Sequence, residues 1–67
     1  MIKPLSQVYK YTVYCNGPNG QCEIGTDKLV FARAMYDIEC KRIPEVWHYV
    51  ALKQGSVAKV CRTKRII

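Results

Sequence analysis

No acidic residue follows Glu45 in this sequence, and the chain holds only five in all. No uncharged apolar run approaches the roughly 20 residues that a membrane-spanning helix needs, so no membrane partner is expected. Glycine (four) and proline (three) are too few for a fibrous or low-complexity chain. The lead Met1-Ile2-Lys3-Pro4 runs into no apolar stretch of signal-peptide type, and the expected compartment is the cytoplasm, that of a bacterial host if the chain is phage-encoded. No glycine-rich phosphate loop is present, because Asn16-Gly17-Pro18-Asn19-Gly20 stands before a strand pattern and not a helix. One histidine, His48, and five scattered carboxylates make a poor stock for acid–base chemistry. Sixty-seven residues also leave little chain to wall a catalytic cleft, and no enzyme is expected.

What the sequence does have is positive charge, unevenly placed. Eleven lysines and arginines give a net charge of +6 and a pI near 9.4. Residues 1–45 hold six basic groups against five acidic ones, a net of +1, whereas residues 46–67 hold Lys53, Lys59, Arg62, Lys64 and Arg65 with no acid, a net of +5. A local excess of one sign attracts polyanions, of which phosphate backbones are the commonest. Hydrophobic residues make up 49% of the chain, which suits a folded domain, though one this small buries only about 60% of its unfolded surface.

The pattern of residues predicts one small α+β domain in ββαββ order, an antiparallel sheet with one helix packed across it. Residues 1–7 read as a loose lead-in. Val8 to Cys15 alternates as a strand, with Tyr9, Tyr11, Val13 and Cys15 on one face and Lys10, Thr12 and Tyr14 on the other. Turn chemistry follows at Asn16–Gly20, then a return strand from Gln21 to Gly25 with Cys22 and Ile24 on one side. Thr26 reads as an N-cap with Asp27 in the first helical turn, and the helix is expected to run to about Arg42. Its apolar stripe is read as Phe31, Ala34, Met35 and Ile38, widened by Leu29, Ala32 and Tyr36. Arg33, Asp37 and Lys41 stand at spacings that allow weak pairing. Ile43-Pro44 ends the helix. Val46–Lys53 and Val57–Ile67 are then two strands about a turn at Gln54-Gly55.

Four cysteines invite a test of register. Across the first hairpin Cys15 is expected to face Cys22, with Val13 facing Ile24. A tight turn at Gln54-Gly55 would set His48 opposite Cys61. Cys15, Cys22, His48 and Cys61 would then be the candidate zinc ligands. Against zinc, six residues separate Cys15 from Cys22, whereas structural sites favour pairs about two to four apart. Free cysteines packed as small hydrophobes, with no cofactor, are the favoured expectation, disulfides being the other alternative.

The last strand is expected to hold Lys59, Cys61, Thr63 and Arg65 on one face and Ala58, Val60, Arg62 and Lys64 on the other. Cations on both sides mark either an edge strand guarded against aggregation or a ladder for phosphates. Tyrosines supply stacking platforms for unpaired bases where they are exposed, and Tyr14, beside Lys10, is the one expected to be exposed. The expected contact set is therefore Lys10, Tyr14, Lys53, Lys59, Arg62, Lys64 and Arg65.

In the order of its elements, with hairpins around Asn19-Gly20 and Gln54-Gly55 flanking the helix Thr26–Arg42, the chain resembles small phage-encoded inhibitors of host nucleoprotein machines, of the anti-CRISPR and RNA polymerase inhibitor types. The resemblance implies a charged surface that occupies a nucleic-acid path, with Lys59, Arg62, Lys64 and Arg65 as contacts. Many such inhibitors are acidic mimics of nucleic acid. This chain is basic, which leaves direct nucleic-acid contact or competition for an acidic protein surface. The expected function is a non-enzymatic binding protein for nucleic acid or a nucleoprotein complex. The alternatives are a protein-interaction module, monomeric or dimerised through an edge strand, and a small zinc-stabilised domain.

Overall fold

A computed structural model describes residues 5–64, and side chains over 7–64. The elements are α1 (Leu5–Val8), β1 (Tyr11–Gly17), β2 (Gly20–Thr26), α2 (Leu29–Cys40), β3 (Tyr49–Gln54) and β4 (Val57–Thr63). The four strands form one antiparallel sheet in the order β2-β1-β3-β4, so the ββαββ expectation holds. The last residues of the expected lead-in form the single turn α1, and β1 starts three residues later than the alternation suggested. Tyr9 consequently leaves the strand. Its ring lies over Gly25 on the side of Thr12, not on the Tyr11 side.

The first hairpin has the expected register, Cys15 opposite Cys22 and Val13 opposite Ile24. Gly20 closes it with a φ of 136°, a conformation that costs a side-chain-bearing residue and not glycine. β3 then joins the other edge of β1, pairing Val13 with Leu52 and Cys15 with Val50. These four residues form the floor on which α2 packs.

α2 is shorter than expected and turned differently. Thr26 does not cap it in the usual way. Its hydroxyl accepts the Lys28 N–H at 3.2 Å, and Asp27 accepts the Lys10 N–H at 2.9 Å, so both are used in tying down the approach to the helix. The buried residues of α2 are Ala32, Tyr36, Glu39 and Cys40, with Met35 packed against the core. Phe31, Ala34 and Ile38, expected inside, are exposed. The helix ends at Cys40, and its last carbonyls are taken up by a turn, Arg42 N–H to Glu39 and Ile43 N–H to Cys40.

The second hairpin departs most from expectation. Val46–His48 belong to the connection and not to β3. The turn falls at Gly55-Ser56, with Gln54 opposite Val57 and Gly55 at a φ of 61°. A β-bulge at Lys59 then adds one residue to β4, since Lys53 pairs with Ala58 but Leu52 with Val60. Cys61 therefore faces Ala51 and not His48, and the His48 carbonyl accepts the Lys64 N–H at 2.7 Å instead. The bulge also breaks the expected alternation: Ala58 shares a face with Cys61 and Thr63, while Val60 and Arg62 turn toward α2.

The connection Lys41–His48 packs tightly against β1. A Cβ added at Gly17 would run into the Val46 carbonyl oxygen and press on the Trp47 ring at 3.2 Å. Gly17→Ala is expected to cost about 1–3 kcal/mol, read as a lower urea midpoint with an unchanged slope. A neutral result would show that this contact gives way freely.

Candidate nucleic-acid interface

α2 lies over β1 and β3, touches β2 less, and leaves β4 nearly uncovered. Every residue of β4 is exposed. The gap between α2 and β4 is an open groove made of two adjoining hollows. One of about 280 Å³ is lined by Arg33, Tyr36, Asp37, Leu52 and Val60. A second, about 250 Å³, shares Arg33, Leu52 and Val60 and adds Tyr11, Leu29, Gln54 and Lys59. A separate hollow of about 560 Å³ is lined by Ile43, Pro44, Arg62 and Thr63. The groove's floor is apolar and its walls carry Arg33 from the helix and Lys59 from the strand, with Asp37 as the acid in it, while Arg62 lies further along the same face of β4.

These cations are not used to hold the fold. Among the described residues the only ion pair is Arg42 with Glu39, Nε to Oε1 at 3.8 Å, so Arg33, Lys53, Lys59, Arg62 and Lys64 have no anionic partner. The expected pairing among Arg33, Asp37 and Lys41 does not form. Lys59 sits in the groove because the bulge pushes it out of the alternation, and Arg62 lies on the same face because it pairs with Val50 on the helix side. Burial pushes the Tyr36 phenol up to about 12, the Cys40 thiol adding to the shift while the Arg62 cation opposes it.

The rest of the expected contact set is divided. Lys53 lies on the face away from α2, beside Thr12. On that face too, Tyr14 is half-buried and not open. Its hydroxyl donates to Gln21 Oε1 at 2.7 Å, and its ring meets Tyr49 edge-on with centroids 6.1 Å apart. Burial raises the Tyr49 phenol as well, with Cys61 contributing. Lys10 is exposed, while its backbone N–H is held by Asp27 and its carbonyl accepts the Gly55 N–H. Lys64 follows β4 directly, and Arg65 lies outside the described residues. Arg33 and Leu29, outside the expected contact set, also line the groove, as does Tyr11, one of the tyrosines that could stack on bases. A cation on the helix flank nearest an uncovered edge strand was the available signal.

The four candidate zinc ligands do not converge. Cys15 and Cys22 are opposite each other on the helix face, Cys61 is on the other face, and His48 is beside Lys64. No cluster of three or more metal-ligating side chains occurs among the described residues, and all four cysteines are free. Cys15 is fully buried, and burial together with the neighbouring Glu39 carboxylate pushes its thiol up to about 12.

Comparison with protein-family models, with curated proteins and with solved structures returns no match. Among the described residues no helix is long and apolar enough to cross a membrane.

Two outcomes follow from the thiols and phenols. Under native conditions at neutral pH, Cys22 and Cys61 are expected to react with a thiol reagent, and Cys15 and Cys40 only after unfolding. A third fast thiol would contradict this burial. Cys15 and Tyr36 both have raised values when folded, so their stabilisation is complete below the unfolded values of 9.0 and 10.0 and is lost as pH climbs toward about 12. The urea midpoint should fall between about pH 9 and about pH 12, and less steeply in Cys15→Ala.

Proposed function

We propose that this protein is a non-enzymatic module that binds nucleic acid along the groove between α2 and β4. The observation that carries this function is the placement of Arg33 and Lys59 on an apolar groove, with Arg62 further along the same face of an edge strand exposed along its length, none of the three in an ion pair among the described residues. Phosphates take cations, and unpaired bases take apolar and tyrosyl surface, which here is Tyr11, Leu29 and Val60. Lys64 extends the same line of charge. The cations also fit nucleic acid held within a larger nucleoprotein complex. There the module would act as an inhibitor by occupying the strand's path, the role implied by the phage-protein layout.

A second function is favoured by one feature. Among the described residues β4 has an unpaired outer edge, onto which an acidic segment of a partner protein would add as a further strand. Salt dependence and probe choice separate the two.

Fluorescence anisotropy with labelled single-stranded RNA and DNA is the test. About four phosphate contacts, from Arg33, Lys59, Arg62 and Lys64, imply a slope of log K against log salt near about −3. Arg62→Glu with Lys64→Glu should weaken binding at least about tenfold and roughly halve that slope, with the circular dichroism spectrum unchanged because both side chains are exposed. Absence of binding at low salt would reject the nucleic-acid function and leave the acidic protein partner.

A further inference from the structure

One acid stands in the α2–β4 groove. Asp37 lines the hollow of about 280 Å³ with Arg33, Tyr36, Leu52 and Val60, and Lys59 lines the hollow that adjoins it. Arg33 and Asp37 are about one helical turn apart, yet they form no ion pair, and Asp37 has no other cationic partner among the described residues. A carboxylate repels phosphate, so attraction of a strand's backbone accounts for Arg33 and Lys59 but not for Asp37. The acid marks the point of the groove where a bound strand would turn in a base and not a phosphate.

We infer that this hollow selects guanine, with Asp37 as the residue that reads it. The inference rests on the nucleic-acid function proposed above and adds which base the groove takes. At about 280 Å³ the hollow is at the small end of ligand pockets, roughly 300–1,000 Å³, which suits a single base. Leu52, Val60 and the ring of Tyr36 offer that base apolar surface. An ionised carboxylate only accepts hydrogen bonds, and a guanidinium only donates them. Unpaired bases are open to readout on their Watson–Crick edges. Uracil and thymine present one N–H there between two carbonyls, so a carboxylate that takes the N–H meets a repelling oxygen on each side. Adenine and cytosine present one amino group beside an acceptor nitrogen. Guanine alone presents two adjacent donors, N1–H and the N2 amino group, which match the two oxygens of Asp37. Its O6 acceptor lies next to them. Arg33 precedes Asp37 by one turn, with Cβ atoms about 5–6 Å apart at that spacing, so the two heads can share one edge of the base. Its several N–H donors let Arg33 serve O6 and still reach a phosphate.

Asp37 is exposed in the free protein and is covered when a base enters. The wrong base then leaves the carboxylate without donors, and the cost of stripping water from it falls on that complex alone. Selection works by a penalty against uracil as much as by attraction of guanine.

The test uses the whole chain and fluorescence anisotropy with three short labelled single-stranded RNAs. One is all uridine, the second has a single central guanosine, and the third has inosine there, which lacks the N2 amino group. The guanosine strand should bind about tenfold tighter than the all-uridine strand, within the range of one bidentate base contact, with inosine between them. Asp37→Ala should bring the guanosine strand down to the uridine one. The same variant should bind uridine RNA as well as the wild type or better, because a repulsion of phosphate is removed. Its circular dichroism spectrum should stay native, since the side chain is exposed. Salt-dependent binding that is equal for all three strands overturns guanine selection and leaves the groove function standing. So does a preference that survives in Asp37→Ala, or inosine bound as tightly as guanosine. No binding of any strand at low salt overturns both together.

Discussion

The arrangement depends on one buried carboxylate. Glu39, 8% exposed near the end of α2, accepts the Trp47 indole N–H at 2.6 Å and lies 3.8 Å from the Cys15 thiol. An acid near a helix C-terminus is opposed by the helix dipole, and a buried one is costly unless hydrogen-bonded. The short charge-assisted bond to Trp47 and the nearby Arg42 guanidinium answer both costs. In doing so they tether the chain after α2 to the helix itself. Trp47 is held against Gly17, and the next residue, His48, donates its backbone N–H to the Asn16 carbonyl at 2.7 Å. From that point the chain can only run back along the free edge of β1. The order β2-β1-β3-β4 follows, and with it the position of β4 as an outer strand.

The exposure of β4 is then a matter of width. One 12-residue helix covers about two strands of a four-stranded sheet, and α2 sits over β1 and β3. Among the described residues β4 lacks a helix above it and a strand on its outer side, which makes it a hazard for edge-to-edge association. Two features answer that hazard: the bulge at Lys59 and the cations along and after the strand. The same two features build the groove, because the bulge delivers Lys59 to the α2 side and the restored pairing delivers Arg62 there. Protection of the edge and the proposed binding of a polyanion would thus draw on one arrangement of charge and not compete for residues.

Much of this was legible in the sequence, and what was not has a common cause. The turn residues Asn16–Gly20 fix a local hairpin, so the register of Cys15 with Cys22 could be read directly. The change from alternation to helical spacing placed α2 in the right segment. The second hairpin slipped by three because two small changes added: the turn lies one residue further on, at Gly55-Ser56, and the bulge inserts Lys59. Neither leaves a mark in a strand whose both faces mix apolar and basic residues. The helix face was misread for a related reason. Phe31, Ala34, Met35 and Ile38 make the better apolar stripe, whereas the true inner face contains Glu39, a residue that belongs inside only because Trp47, eight positions away, reaches back to it. Tertiary partners of a buried charge are invisible to periodicity.

That misreading is itself informative about how the chain distributes its hydrophobic residues. A domain of this size has few large apolar side chains with which to fill its interior, yet α2 places Ala32 and Cys40 inward and Phe31, Val30 and Ile38 outward. Stability alone favours the reverse rotation of the helix, which would bury about three large side chains, each worth roughly 1.5–3 kcal/mol. Two constraints oppose that rotation. It would expose the Tyr36 ring, and it would carry Glu39 away from Trp47, untying the connection that positions β3. The tether thus dictates both surfaces at once: it leaves β4 bare on one flank of α2 and turns an apolar pole outward on another.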